Sequence, residues 1–263
     1  MDTLRRDFYL TCDANGFSLV SADALDRLGE DDDPMPLVES QAAVLVSMIG
    51  DDYFHGRLIV GGELTEAEER EWLARITARL ELPSGELLVG AGCDPDVLAD
   101  AHAAGDDGHA FELSPGSYRV DIYTHAPAMN ARELLPGELN TVLGAWFRDS
   151  HPGEPFPAWL AAECRDLADE YDPEHADDWV ELANAVRRGA LAVAEDPRAC
   201  IGFVLHLQPL AQGEDLSRSE VDDEGWHPPE TGLRRPVTCP RGLPTEGVGQ
   251  EEHAGFLSEL RES

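Results

Sequence analysis

Residues 111–124 constrain the fold more than any other stretch of the chain. From Tyr118 to Thr124 the side chains alternate between two faces, which is the period of a β-strand with one buried side. Pro115 and Gly116 favour a type II turn just before this strand, because proline presets φ at the first central position and glycine accepts the positive φ of the second. We therefore predict a β-hairpin over residues 111–124.

Other apolar or alternating runs predict further strands. Asn15 and Gly16 form a strong hairpin signal between the first two of these runs, and residues 50–52 form a turn between the next two. The predicted strands are residues 7–12, 17–22, 42–49, 54–60, 87–89 and 201–208. Most of them are joined by short turns, so they predict a mainly antiparallel sheet.

One helix in the first half carries a clear start signal. Thr65 and Glu68 match a capping box, in which each side chain binds the backbone amide of the other residue. Trp72, Ile76 and Leu80 follow at helical spacing. The pattern predicts an amphipathic helix over residues 66–81, packed on the sheet.

The character of the sequence changes near residue 130. Helical patterns cover residues 139–147 and two further segments that begin at Pro157 and Pro173, before the predicted strand 201–208. Residues 211–263 are rich in glycine, proline and acidic side chains. The prediction is an α+β fold with three parts. Residues 1–130 form an antiparallel sheet or sandwich with a packed helix, residues 131–210 a helical segment that returns one strand, and residues 211–263 an irregular tail.

Charge is the outstanding property of the composition. The chain has 53 acidic and 19 basic residues, a formal net charge of -34, and it contains no lysine. Such a chain repels nucleic acids and anionic membranes. The charge favours either a basic protein partner or adaptation to a high-salt cytoplasm.

The cysteines and the N-terminal residues indicate in which cellular compartment the protein is expected. The five cysteines are widely spaced and include no C-x-x-C pair, so the sequence predicts neither a disulfide framework nor a thiolate zinc site. No apolar run approaches the ~20 residues that span a bilayer, and no secretory signal is recognisable. We expect a soluble, cytoplasmic protein.

Residues 86–98 have the order of a dinucleotide-binding turn, namely a strand, a Gly90-x-Gly92 turn and a helix. However, Pro95 occupies the position of the third glycine, and two aspartates lie where a pyrophosphate needs amide donors. The same residues are explained by a helix that Asp94 caps and Pro95 begins. We therefore expect no nucleotide and no other cofactor.

Two polar clusters could support metal or acid–base chemistry. His102, Asp106, Asp107 and His109 have suitable ligand types but match no zinc or calcium spacing, and a solvated Gly-Asp-Asp-Gly turn explains them equally well. The other cluster, Asp51, Asp52 and His55, joins two strands and is equally typical of a turn. His125 follows the central strand on its polar side, and we expect it at the surface.

The strongest functional candidate is a cluster of carboxylates in the predicted helices. Its residues are Glu163, Asp166, Asp169, Glu170, Asp172, Glu174, Asp177, Asp178 and Glu181. Like charges at helical neighbours destabilise a helix by ~0.2–0.5 kcal/mol per pair, and only Arg165 lies nearby to compensate. This acidic patch indicates a docking surface for a cationic partner, although a generally acidic surface would show the same pattern.

Three functional hypotheses follow. The favoured one is an acidic protein that binds or inhibits a basic protein, as an immunity protein covers a toxin or nuclease. The alternatives are a small metal-dependent hydrolase using the His/Asp clusters, and an acidic domain adapted to high salt. No nucleophile elbow, H-E-x-x-H, Walker A or kinase motif occurs, so the sequence favours a non-enzymatic role.

Overall fold

The computed structural model has a mixed α+β fold, mostly of strands arranged in two sheets with a few short helices. It describes residues 3–12, 16–25, 35–48, 52–92, 108–126, 128, 143–154, 157, 159–160, 200–211, 214, 216, 232–234 and 236–246.

The larger sheet contains six strands of the described chain. Five form its main order, β1 (Leu4–Cys12), β4 (Asp52–Val60), β9 (Cys200–Pro209), β8 (Gly116–Thr124) and β5 (Ala74–Leu82). The short β10 (Leu243–Pro244) pairs with the start of β9. β4 and β9 run parallel, whereas the other neighbours in this sheet are antiparallel. The prediction of a mainly antiparallel sheet is confirmed.

The smaller sheet has four antiparallel strands. Their order is β3 (Ala43–Ser47), β2 (Gly16–Ser21), β6 (Glu86–Ala91) and β7 (Gly108–Glu112). Two short helices, α1 (Ala22–Leu25) and α2 (Met35–Glu39), bury Ala24 and Leu37 in an apolar cluster with Val20 and Leu88 of this sheet.

The two sheets face each other across one hydrophobic core. At its centre the ring of Phe17 in the smaller sheet lies 5.1 Å from Phe54 and 5.0 Å from Phe203 in the larger one. Aromatic pairs at such distances add to the stabilisation that burial gives. The architecture is therefore a β-sandwich, one of the two arrangements, sheet or sandwich, that the sequence predicted.

Both predicted hairpins are wrong, although their strands are present. β1 belongs to the larger sheet and β2, which begins at Gly16, belongs to the smaller, and Pro115 lies between β7 and β8, which also belong to different sheets. Gly116 has a φ of 156°, far from the value near +80° that the second central residue of a type II turn needs. Each connection carries the chain across the sandwich.

The helix predicted over residues 66–81 is too long. Its capping box exists as predicted, but α3 spans only Glu66–Glu71, and Trp72 has extended backbone angles. From Ala74 to Leu82 the chain forms β5, in which Ile76 and Leu80 face the core. Apolar residues spaced four apart lie on one face of a strand, whose side chains repeat every 2 residues, and nearly on one face of a helix, whose side chains repeat about every 3.6. This spacing therefore does not distinguish a strand from a helix.

The second half contributes a helix and the returning strand. α4 spans Leu143–Ser150, close to the predicted 139–147, and β9 takes the predicted place of residues 201–208. The helices predicted to begin at Pro157 and Pro173 lie largely outside the described residues, so they and the three-part division stay predictions. In the part of the chain that the structure describes, no helix is long and apolar enough to cross a bilayer.

Candidate functional site

A C-terminal segment crosses the outer face of the larger sheet. We call its described residues, 232–234 and 236–246, the strap. It pairs with β5 at Ala74 through Leu233 and with β9 at Ile201 through Leu243, and it ends beside Asp7 of β1. Leu243 joins an apolar cluster on this face that includes Ile59, Trp72, Tyr123, Ile201 and Val204. Large apolar side chains that face outward from the sheet are thus covered by the strap.

A buried ion pair forms the floor beneath the end of the strap. Arg57 of β4 lies directly opposite Asp7 of β1, and its Nε and Nη2 donate to the two carboxylate oxygens at 2.6 and 2.9 Å. Their side chains are only 3% and 2% exposed. Arg57 Nη2 also donates to the carbonyl oxygen of Pro244 at 3.0 Å, so the pair holds the strap as well as the strands.

Glu68 of α3 completes this network. Its Oε1 accepts from Arg57 Nη1 at 3.0 Å, and both of its oxygens accept from Arg5 Nη2 at 2.7–2.8 Å. Burial lowers the pKa of Arg57, but hydrogen bonds with Asp7 and Glu68 outweigh it, and the net shift is upward. Because Glu68 also caps α3 through Thr65, one carboxylate joins this helix to β1 and β4 of the sheet.

A second carboxylate holds the turn of the strap. Glu71 Oε2 accepts from the backbone amides of Arg241 at 3.0 Å and Gly242 at 2.9 Å. Gly242 has a φ of +81°, and a Cβ there would lie 2.6 Å from Trp159 Cδ1. The side chain of Arg241 makes a two-point pair with Glu154, at 2.8 and 2.9 Å, which also lowers the pKa of Glu154.

Cys239 is the buried anchor in the middle of the strap. Its amide donates to Ser150 Oγ at 3.1 Å, and its carbonyl accepts from His151 Nε2 at 2.7 Å, which places a proton on that nitrogen. Burial raises the pKa of the Cys239 thiol to about 12. A thiol with this pKa stays protonated and unreactive near neutral pH, so its role here is to pack.

Arg234 is the anchor at the other end. Its amide donates to the Leu73 carbonyl at 2.8 Å, and its guanidinium donates to the carbonyls of Glu69 and Arg70 at the end of α3. The same guanidinium lies 3.8 Å from the ring centre of Trp72. A cation over an aromatic face and at a helix C-terminus is favourable on both counts.

Between these two anchors the strap exposes Val237, whose side chain is 94% exposed. Leu233, which directly precedes Arg234, is 41% exposed, and these two are the exposed large apolar residues among those the structure describes. Pro236 precedes Val237, and the exposed Thr238 follows it. We call residues 236–238 the strap tip.

His125 is buried, contrary to the prediction that it lies at the surface. It follows β8 directly, its backbone amide donates to Gly202, and its side chain is only 1% exposed. Among the described residues neither ring nitrogen has a well-directed hydrogen bond, and the nearby backbone of Glu71 raises the pKa of the ring only in part. Burial, with the nearby Arg57 as a further cause, lowers its pKa to about 3, so the ring is neutral.

The predicted acidic patch, Glu163–Glu181, lies outside the described residues, as do His102, Asp106 and Asp107. His109 is described, and its Nε2 donates to the Tyr9 carbonyl at 2.6 Å, joining the edges of the two sheets. Within the described ranges, no three side chains of the His, Cys, Asp or Glu types come together as metal ligands. His109 therefore has a structural contact, and the four-residue metal hypothesis stays a prediction.

The other sequence candidates are only partly visible. His55 is buried and its ring lies 5.2 Å from that of Tyr9, whereas Asp51 and the side chain of Asp52 are outside the description. In the glycine-rich turn, Gly90 ends up inside β6 and Gly92 just after it, with a φ of +81°. Asp94, Pro95 and Asp96 are not described, so the helix cap proposed for them stays a prediction.

The sequence predicted an irregular tail over residues 211–263 and did not predict the contacts of the strap. Several side chains of the strap are buried or paired. Prolines on either side of Val237 and Cys239 were the available signal, since a chain with restricted φ angles suits a fixed path. The arginines and carboxylates around the strap neutralise one another in ion pairs, and these pairs hold the strap against the sheet. Such an arrangement suits binding.

No family model and no curated protein matches the chain. Two solved structures resemble it weakly. The protein described as "Crocagin biosynthetic gene J" is 14% identical with a TM-score of 0.40, over 80% of this chain and 99% of that one. ComJ from Bacillus subtilis, described as an inhibitor of the DNA degrading activity of NucA, is 10% identical with a TM-score of 0.34, over 49% of this chain and 89% of its own.

Proposed function

We propose that this protein binds, and by binding inhibits, a basic protein partner such as a toxin or nuclease. The observation that carries the proposal is the charge of the chain, -34, taken together with the positions of its arginines. A partner with a cationic cleft would be attracted over long distances and held in a defined orientation.

The arginines of the described residues are largely committed within the molecule. Those paired with carboxylates are Arg5, Arg57, Arg70, Arg79, Arg119 and Arg241. Even if every arginine in the sequence neutralised one carboxylate, 34 negative charges would remain. The surplus is therefore available to an external cation.

The acidic patch, Glu163–Glu181, is the proposed contact surface. It concentrates nine of the surplus carboxylates in nineteen residues of sequence, with Arg165 as the single basic residue among them. An electrostatic contact of this kind speeds association and selects basic partners more than it raises affinity.

The test begins with capture of partners by the full chain, from a lysate of the cells that produce it, at low salt. The captured protein is then purified, and its dissociation constant is measured by calorimetry from about 0.05 to about 0.5 M NaCl. We expect a partner of high isoelectric point whose affinity falls by about tenfold or more over this range, and whose enzymatic activity decreases on binding.

Two results would contradict the proposal. One is a partner of neutral or acidic charge whose affinity does not depend on salt. The other is a basic partner that binds no more tightly than a basic protein of unrelated sequence, such as lysozyme, at the same ionic strength.

A further inference from the structure

We propose that Arg75 and Arg234 form a binding site for a small phosphate ligand on the outer face of the larger sheet. The ligand class is inorganic phosphate or the phosphate group of a small monoester. The site goes beyond the proposed function, because its ligand is an anion and because it does not use the acidic patch. It is argued from two arginines that share one aromatic ring and form no ion pair with a carboxylate in the described part of the chain.

The two arginines reach the same indole ring from different parts of the chain. Arg75 lies in β5, directly opposite Tyr123 of β8, and its guanidinium carbon is 5.7 Å from the ring centre of Trp72. Arg234 belongs to the strap, and its guanidinium carbon is 3.8 Å from the same ring centre. The hydrogen bond from the Arg234 amide to the Leu73 carbonyl fixes this position. Sheet and strap together thus place two cations beside one ring.

The other arginines of these strands are neutralised. Arg79 and Arg119 lie opposite each other on the same face as Arg75, and each is paired with an acidic side chain two residues further along its own strand. Among the described residues, neither Arg75 nor Arg234 has such a pair, although the chain contains 53 acidic residues. The two unpaired cations are therefore unusual in this molecule.

The charges around the pair leave a need for an anion. Burial lowers the pKa of Arg234, the exposed carboxylate of Glu69 opposes this shift, and the positive charge of Arg75 adds to it. Within the described chain, Glu69 forms no ion pair with either arginine, so it compensates them only from a distance. An anion that contacts both guanidiniums would replace their mutual repulsion by attraction.

The hydrogen-bond donors at the site suit a phosphate group. Arg234 uses Nη1 to bind the end of α3, and its Nε and Nη2 have no hydrogen-bond partner among the described residues. Arg75 donates to the Tyr123 hydroxyl, which leaves the hydroxyl proton to donate in turn. A phosphate group offers three acceptor oxygens and about two negative charges, which match two guanidiniums and one hydroxyl. A carboxylate offers fewer oxygens and half the charge.

The ligand should be small. The net charge of -34 repels an extended polyanion such as a nucleic acid, whereas a single phosphate is held mainly by contacts at short range. The guanidinium of Arg234 already lies against the ring of Trp72, so that face is not open for a nucleotide base to stack on.

Isothermal titration calorimetry of the full chain with inorganic phosphate tests the site. The buffer contains ~0.15 M NaCl, where a Debye length of about 8 Å screens the distant charges. Arg75→Gln removes one cation of the site, and Glu69→Gln removes the nearby negative charge. The control is Arg6→Gln, because Arg6 also lies over an aromatic ring, at 5.7 Å from the centre of Phe111, but on β1 at the other edge of the sheet. Melting temperatures establish that each variant folds.

We expect the affinity for phosphate to fall about tenfold or more for Arg75→Gln and to rise about twofold or more for Glu69→Gln. Arg6→Gln should stay within about twofold of the wild type. No binding by the wild type, or equal affinity in the wild type and Arg75→Gln, would overturn the site. Because the titration contains no protein partner, its failure would leave the proposed function untouched.

Two further ligands define the chemical class. Acetate that binds as tightly as phosphate would overturn the assignment to phosphate. Glycerol phosphate distinguishes the two sources, since tighter binding than inorganic phosphate would identify a monoester and weaker binding the free ion.

NMR of the wild-type chain gives a second readout that needs no variant. Addition of phosphate should shift the Nε–H resonances of Arg75 and Arg234 and leave that of Arg6 in place. Equal shifts of all three resonances, or no shift in any, would overturn the site.

Discussion

Arg57 and Asp7 face each other across adjacent strands and join through two hydrogen bonds, at 2.6 and 2.9 Å, with both side chains almost completely buried. The pair links residues fifty apart in sequence, and the carbonyl of Pro244 adds the strap to it. Removing one partner of a buried pair leaves an uncompensated charge, which is far more destabilising than replacing both.

Replacing Arg57 should therefore weaken the whole fold. We expect Arg57→Met to lower the free energy of unfolding by about 3–5 kcal/mol, measured by urea denaturation. The control is Arg6→Met, because Arg6 is exposed on β1 and its guanidinium lies 5.7 Å from the ring centre of Phe111. That variant should stay within about 1 kcal/mol of the wild type, since an exposed cation over an aromatic ring contributes little. Equal losses for the two variants would contradict the central position of Arg57.

Position 242 in the turn of the strap requires a glycine for two reasons, its positive φ and the close approach of Trp159. A matched pair of variants separates them. Gly242 and Gly153 have nearly the same φ, +81° and +82°, but a Cβ would contact Trp159 only at Gly242. Gly153→Ala should destabilise the protein by about 1–2 kcal/mol through backbone strain alone. Gly242→Ala should cost distinctly more, because the ring of Trp159 must also move. Thermal and urea unfolding measure both, and indistinguishable variants would refute the close approach to Trp159.

Glu71 should control whether the strap turn stays closed. In Glu71→Ala the amides of Arg241 and Gly242 lose their shared acceptor, so we expect their hydrogen exchange to accelerate while Val204 in β9 keeps its protection. Glu63→Ala, which removes an exposed carboxylate before α3, is the control and should change neither. Unaltered exchange at residues 241 and 242 in Glu71→Ala would show that other contacts hold the turn.

Because of His125, the free energy of unfolding should decrease as the pH is lowered below about 6.5. Its pKa is lowered from 6.5 to about 3 in the fold. In that interval the unfolded chain binds a proton that the folded chain does not, so acid favours unfolding by about 1.4 kcal/mol per pH unit from this group. Above pH 6.5 both states are neutral at this residue, and the effect vanishes.

The measurement compares the wild type with His125→Phe at pH 7.5 and pH 5. Other carboxylates titrate equally in both proteins, so the difference isolates His125. We expect the wild type to lose about 2 kcal/mol more than the variant between these two pH values. Parallel losses would mean that the imidazole is protonated in the folded protein.

The positions of most strands could be predicted from the sequence, because alternation along a strand reports directly on which side is buried. β8 and β9 are examples: Val120 and Ile122, and Phe203 and Leu205, face the core as their spacing predicted. The capping box of Thr65 and Glu68 was equally local, and it formed as expected.

Strand pairing could not be predicted in the same way. The turn chemistry of Asn15–Gly16 and Pro115–Gly116 favours a reversal of the chain, but it does not determine whether the next strand stays in the same sheet. β1 pairs instead with β4, and β8 with β5 and β9. Strand pairing depends on which side chains are buried between the two sheets, and these contacts join residues that are far apart in sequence.

The strap and His125 were missed for a related reason. Their burial depends on residues far away in sequence, such as Arg57 beneath Pro244 and Glu71 beneath Gly242. Local composition gives no indication of such contacts. The acidic patch is the opposite case, since its charge can be read from the sequence alone.

The most direct test of the proposed function is the association rate of the captured partner with two charge-reduced variants. One neutralises Asp166, Asp169 and Asp177 in the acidic patch, and the other neutralises Glu63, Glu112 and Asp149, which are exposed elsewhere. All six changes are to the corresponding amides, so both variants have the same net charge. At low salt we predict that association slows by about tenfold for the patch variant and by less than about twofold for the control. Equal slowing of the two, or none in either, would contradict recognition of a basic partner by the acidic patch.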